Sequence, residues 1–373
     1  MHRALALSAL LLAGCGSEIA LPPPPAGTVA AGHQAQAFVE AMKPRRPGKP
    51  VIAVLARNEA TETTDFLLTH AVLQRSGVAD VKAVAPRRGR VELYPALQVE
   101  VAQDLAAFDK AHPTGADYVV VPAMLYEKDK DPAVTAWLRQ QAERGARIFG
   151  VCAGALVLAD AGLLDGRRFA THWYFRKNVL EDHPSAVYVP HQRYVLDRDV
   201  ATTTGITASV PAMLALVEAI GGRAKAQSLA AGLGVDSWTP LHDSTQFGLN
   251  PVRMWDYIVA KAAFWRQERW GIDVRDGMDD IALAFAADAW SRTGRVSVAA
   301  AAPGPVKLRS GLVLAAKPAA PDMPRIALSP ALKPVQQLDR TLCEIDAHFG
   351  ALPRERVMME LEYPGATLRC SGS

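Results

Sequence analysis

Cys152 stands in Arg147-Ile148-Phe149-Gly150-Val151-Cys152-Ala153-Gly154-Ala155. A short apolar run meets a turn of small residues, and an apolar helical pattern starts at once. A strand-to-helix turn of this kind lifts a side chain clear of a sheet, and the helix behind it offers backbone N–H groups and a positive dipole end. Both features favour a thiolate, so the spacing predicts a thiol that ionises more readily than free cysteine. Twenty residues on, Thr171-His172-Trp173 supplies an imidazole. A nucleophile needs such a base within about 3 Å or one water away. His172 therefore has two readings, a base for Cys152 or a side chain that only lines the pocket.

The elements that must position these groups alternate along residues 49–247. Val51 to Ala56, Val81 to Ala85, Tyr118 to Val121 and Arg147 to Val151 read as buried-type strands. Helical patterns fall at Asp65 to Gln74, Ala133 to Gly145, Ala155 to Ala161 and Ser209 to Ile220, with Gly77, Gly162 and Gly221-Gly222 as stops. Strand–helix alternation implies an open parallel sheet with helices on both faces. Ligands bind such sheets beyond the carboxyl ends of the strands, where Cys152 and Pro122-Ala123 fall.

The stretch from Val151 to Arg168, with Ala170-Thr171-His172-Trp173 after it, resembles the ThiJ/PfpI superfamily. Within it, the segment is most similar to the class I glutamine amidotransferase-like domain of AraC-type regulators. Val200 to Ala208 resembles that family's strand and turn before its last helix, which brings Gly205 to the pocket. The resemblance covers about 49–247 and implies a flavodoxin-like α/β sandwich. It also implies an acidic residue against the cysteine. Asp65 falls at that position and Glu62, one turn earlier, is the alternative. Asp65 reads equally well as a carboxylate favouring the helix N-terminus. Relatives carry Pro-Gly-Gly after the third strand, whereas this chain has Pro122-Ala123-Met124. Alanine can still donate its N–H but resists positive φ, and Met124 narrows the mouth. The amides of Cys152 and Ala153 remain as oxyanion donors. Ala123, Met124, Ala153, Gly154, Trp173 and Gly205 are the expected binding residues.

The ends differ in texture. Met1-His2-Arg3, the apolar run from Ala4 to Leu12, and Leu12-Ala13-Gly14-Cys15 resemble a bacterial lipoprotein signal with Cys15 as the lipidated residue. Residues 1–15 are then a signal peptide and 16–48 a Pro-rich tether, extended and outside any core. The expected location is the envelope, at the outer membrane facing the periplasm. There Cys343 and Cys370 could form a disulfide, although two cysteines alone fix no geometry.

Residues 248–373 open with Asn250-Pro251 as cap and first turn of a Trp-rich helix, Val252 to Trp270, stopped by Gly271. Trp255, Trp265 and Trp270 read as core or pairing surface. Residues 279–315 then repeat part of the first unit. With an ungapped shift of 215 positions, Asp65 meets Asp280, Leu68 meets Leu283, Ser76 meets Ser291, Leu93 meets Leu308 and Leu97 meets Leu312. The copy has no Cys elbow and no Thr-His-Trp. It reads as structural, or as a pairing surface for a homodimer. A match of Asp65 to Asp280 in this siteless copy favours the purely structural reading of Asp65.

Charge narrows the functions. With 41 basic and 38 acidic residues the net charge is +3, which gives no nucleic-acid footprint. His183 and His191 lack structural-zinc spacing and read as surface loop. No glycine-rich phosphate loop is present, and no cofactor or metal is expected. Two functions remain. One is an envelope-tethered Cys enzyme acting on a small carbonyl, isonitrile or amide. The other is a catalytically silent small-ligand sensor.

Overall fold

The computed structural model describes residues 21–24, 28–125, 131–248, 267–365, 368 and 370. Cys15, the signal-like segment, Trp255 and Trp265 lie outside them.

Seven strands form the central sheet: β1 (Val51–Leu55), β2 (Asp80–Ala85), β3 (Gln103–Asp104), β4 (Tyr118–Val121), β5 (Arg147–Gly150), β6 (Tyr194–Asp197) and β7 (Val200–Thr203). Their order is β6-β7-β5-β4-β1-β2-β3. All pairs are parallel except β6–β7 at one edge. Helices cover both faces, so β4 and β5 are buried at every position; β4 is wholly apolar, and in β5 the buried Arg147 donates to the Lys43 carbonyl. The α/β class read from the sequence is the observed one.

Helix α1 (Thr28–Ala41) corrects the tether. Phe38, Val39 and Met42 are buried in the core, and the Tyr118 hydroxyl donates to the Met42 carbonyl at 2.6 Å. This segment has its own apolar face; only the proline run before it lacks one. Even there, the Pro22 carbonyl lies 2.7 Å from His191 Nε2. His191 is buried, not part of a surface loop.

The helix expected up to Trp270 is also corrected. Residues 252–266 fall outside the described residues, but Glu268–Asp273 is a strand, parallel to Val296–Ala301 on one side and Arg325–Ile326 on the other. Tertiary pairing of a six-residue run has overridden a pattern that also fits a helix end.

The second copy is built like the first, with a different register. Helix α2 (Thr63–Ser76) is capped by Glu62 and closed by Gly77 at φ 66°. Its counterpart, Asp280–Arg292, is capped by Asp279 and followed by Gly294 at φ 67°. The last turns match bond for bond: the Ser76 hydroxyl donates to the Leu73 carbonyl, and that of Thr293 to the Trp290 carbonyl. The helices therefore superpose with a shift of 217, placing Arg75 on Arg292 and Gly77 on Gly294. The following hairpins keep the shift of 215: Leu93 N–H donates to the Leu97 carbonyl as Leu308 does to Leu312. The second copy is thus two residues shorter between helix and hairpin. On a helix a slip of two turns a side chain by about 200°, so Asp280 is not the counterpart of Asp65. Asp65 falls on Ala282.

The copies embrace. Gln98–Val101 of the first hairpin pairs antiparallel with Val313–Leu314 of the second, with Val99 opposite Leu314. The two long helices also pack against each other. At the chain's end, helices Gln336–Phe349 and Ala351–Leu361 lead into a segment tied back by the disulfide Cys343–Cys370, with Cα atoms 5.5 Å apart.

Candidate functional site

Cys152 sits on the elbow. Its φ is 56°, between β5 and the short helix Gly154–Asp160. The turn is held from both sides: Cys152 N–H donates to Thr203 Oγ1 at 2.9 Å, and Thr171 Oγ1 donates to the Cys152 carbonyl at 3.0 Å. Gly154 has a steric role, since a Cβ there would lie 2.1 Å from the Val121 carbonyl oxygen.

The thiol departs from expectation. Burial pushes its pKa well above the ordinary value, and the carboxyls of Asp65, Glu62 and Glu362 push the same way; the Ala153 N–H only partly opposes them. Helix-end stabilisation is outweighed by desolvation and like charge. The sequence reading of an easily ionised thiol is corrected on this point.

Asp65 is fully buried. Its Oδ2 accepts from Ala123 N–H and its Oδ1 from Ser209 Oγ, each at 3.2 Å. Burial and the neighbouring Glu62 hold its carboxyl well above the usual range, outweighing those two donors. Glu62 caps α2 through Asp65 N–H at 2.6 Å and accepts from the Thr64 hydroxyl. Its other oxygen binds Arg292 of the second copy at 2.7 Å.

Of the expected oxyanion donors, Ala123 N–H serves Asp65 and Cys152 N–H serves Thr203, while Ala153 N–H faces the Cys152 thiol itself. Met124 bridges to Thr61. His172 is engaged as well: Nδ1 accepts from Tyr174 N–H at 3.3 Å, which leaves Nε2 to donate to the Glu360 carbonyl at 3.0 Å. Burial lowers its pKa, so the ring is neutral. With both nitrogens committed, His172 does not serve as a base for Cys152 in this conformation.

Glu362 is the residue sequence reasoning missed. It caps the helix Ala351–Leu361 in the left-handed region, φ 51°, and is 1% exposed. One carboxylate oxygen accepts from Trp173 N–H at 2.7 Å; the other accepts from Gly205 N–H at 2.9 Å and lies 3.3 Å from His242 Nε2. Burial alone would raise its pKa, but chiefly the His242 hydrogen bond and charge, with the Gly205 N–H, pull it down to about 2. Trp173 and Gly205, both expected at the pocket, are thus brought together by a carboxylate from 157 positions beyond Gly205. The surrounding turn is fixed too, with Thr207 Oγ1 on the Glu362 carbonyl and Trp173 Nε1 on that of Met359. No local pattern around Glu362 marks it; Pro364-Gly365 reads only as a helix stop.

An open parallel α/β sheet with a cysteine on a strand–helix elbow defines the class. Residues 50–219 match the DJ-1/PfpI family, and this part of the chain is a DJ-1/PfpI domain. The chain is 38% identical over 86 residues to the HTH-type transcriptional regulator CdhR of Pseudomonas aeruginosa, covering 23% of this chain and 25% of the regulator. It is 34% identical over 99 residues to an isonitrile hydratase of Pseudomonas putida, covering 26% of this chain and 42% of the hydratase. The chain therefore spans less than half the length of these curated relatives. Drosophila melanogaster DJ-1beta aligns in structure with a TM-score of 0.45 and 23% identity, over 50% of this chain and 99% of that one.

Proposed function

We propose that this chain is a small-ligand-binding module built on the DJ-1/PfpI domain, with Cys152 in the floor of its site rather than acting as a standing nucleophile. The observation that carries this reading is the occupation of Trp173 and Gly205 N–H by the chain's own Glu362. Polar groups converge there as they do in ligand sites. The parts needed for thiol chemistry, meanwhile, are spoken for. Burial raises the pKa of the thiol and of the Asp65 carboxyl, and His172 has no free nitrogen. The regulator relatives support a ligand-sensing role, and the Cys343–Cys370 disulfide supports an oxidising compartment, in keeping with an envelope tether through Cys15.

One observation favours a second reading, a latent cysteine enzyme. The elbow keeps its left-handed Cys152 with the Asp65 carboxyl, whose pKa burial raises, nearby, and the hydratase relative fits an isonitrile-type substrate. Alkylation by iodoacetamide at pH 7, followed by mass spectrometry on the Cys152 peptide, separates the two. The binding module requires a rate below that of free cysteine. A rate above it would overturn that reading and restore the nucleophile.

A further inference from the structure

The Glu362 carboxylate is held by three groups from three separate segments, none of them its own: the amides of Trp173 and Gly205 and the imidazole of His242. All three belong to the part of the chain before the second copy. Together they form a built carboxylate cradle. The occupant comes from the chain's far end and enters on a non-glycine residue in left-handed backbone, a conformation that side chains normally avoid. Glu362 itself is buried, and open space flanks the residues that follow it. A cleft of about 290 Å³ is lined by His191, Arg193, His242, Phe247 and Pro364. A second of about 600 Å³, lined by Arg354, Met358, Tyr363 and Leu368, meets the first at Gln246 and Phe247. The Glu362 turn is the partition between the two, and the Cys343–Cys370 disulfide limits how far the segment after it can travel.

We infer that the Trp173–Gly205–His242 cradle binds the carboxylate group of a small ligand, and that Glu362 is its internal occupant, exchanged when the ligand enters from the cleft beside His242. This rests on the reading of the chain as a ligand-binding module and names the ligand's chemical class. The cleft carries the ligand's body, with Arg193, His191, Gln246 and Asp243 as its polar wall. The cradle presents N–H groups to both oxygens of the Glu362 carboxylate, which selects a carboxylate over an amide. An amide would set an N–H against a backbone N–H.

The probe is acetate, with acetamide as the uncharged control, added to the full chain with its disulfide intact. Affinity is measured by calorimetry, and the Gly205 and Trp173 amides are followed by NMR. Wild type and Glu362→Ala are compared. The expected result is acetate binding at least ten-fold tighter to Glu362→Ala than to wild type, with both amide signals shifting and acetamide without effect. Equal affinity in the two proteins, or equal binding of acetate and acetamide, overturns the inference. If Glu362→Ala does not fold, Glu362→Gln keeps the shape and removes the charge, and the same tightening is required of it. A slow Cys152 alkylation together with no acetate preference would leave the binding module standing and remove only the carboxylate class.

Discussion

Arg292, in the last turn of the second copy's long helix, binds Glu62 at the start of α2 with an N–O distance of 2.7 Å. The reverse contact has the same length: Arg75, in the last turn of α2, binds Asp279 at the start of the other helix at 2.7 Å. Under the shift of 217 these are one contact made twice, Glu62 standing on Asp279 and Arg75 on Arg292. The Val99–Leu314 pairing adds a second contact near the same pseudo-two-fold. The degenerate copy thus packs on α2 about a pseudo-two-fold within one chain. It also contributes Arg292 to the acid that neighbours Asp65.

That placement bears on assembly. Twelve of the fourteen residues of α2 are buried within the single chain, so this helix has no face left for a partner. A symmetric dimer through α2 would have to expel the second copy. We expect the protein to sediment at the mass of one chain across micromolar concentrations. A concentration-dependent dimer, reversed by substitutions on α2, would contradict this.

Arg292 is a buried junction of charges. It contacts Glu62, Asp288 and Glu360 at 2.7, 2.8 and 3.1 Å. Burial would lower its pKa, but these carboxylates outweigh that and keep it cationic. Asp288 is pushed well up by its own burial, with Arg292 opposing. Removing the one cation strands three acids. Arg292→Ala should cost about 3–5 kcal/mol in urea unfolding, the range for breaking a buried pair from one side. A cost under about 1 kcal/mol would mean that solvent already screens the cluster.

The sequence reading reached the sheet, the elbow and the existence of a second copy, because each rests on local signals: apolar runs, small-residue turns and identities at one shift. It expected Trp173 and Gly205 at the pocket through the family resemblance of the segments that carry them. It misread the thiol, because the helix-end effect is local while the desolvation and the Glu362 charge come from the folded whole. It misaligned the second helix by two residues because an Ala-rich helix offers identities at several shifts, and only the capping bonds fix the true one. Correcting that register removes the Asp65–Asp280 match, one of the two reasons for treating Asp65 as merely structural; its place in the first turn of α2 remains. Glu362 was invisible, since its partners lie more than 100 positions away.

Glu362 should also govern acid stability. Its folded pKa is about 2, against an ordinary value of 4.5. A carboxylate whose pKa is depressed on folding contributes stability that is fully present above the unfolded value and is lost as pH falls through the folded one. The window is therefore pH 4.5 down to 2, and the size is about 3 kcal/mol. Asp65 acts with the opposite sign, because its raised pKa favours the folded state at low pH. The comparison must accordingly be wild type against Glu362→Gln, in which Asp65 cancels. The difference in unfolding free energy between the two should shrink as pH falls through that window. A constant difference from pH 6 to pH 2 would show that the cradle does not favour the charged form.

Two glycines separate the occupant from the elbow. A methyl at Gly205 would sit 2.7 Å from Glu362 Cγ and 2.9 Å from its Cβ, so the turn that carries Glu362 must shift with its side chain. At Gly154 it would sit 2.1 Å from the Val121 carbonyl oxygen, part of a central strand that cannot. Neither glycine has positive φ, so the effect of each substitution is steric. Gly154→Ala should destabilise by about 1–3 kcal/mol or more through overpacking, without raising the reactivity of the folded thiol. Gly205→Ala should evict Glu362 and remove one of the three carboxyls that keep the thiol protonated. Cys152 alkylation should then accelerate, measured by mass spectrometry under conditions where circular dichroism shows the protein folded. An unchanged rate in a folded Gly205→Ala would show that Glu362 does not control the thiol, and the raised pKa would then have to come from burial and the Asp65–Glu62 pair alone.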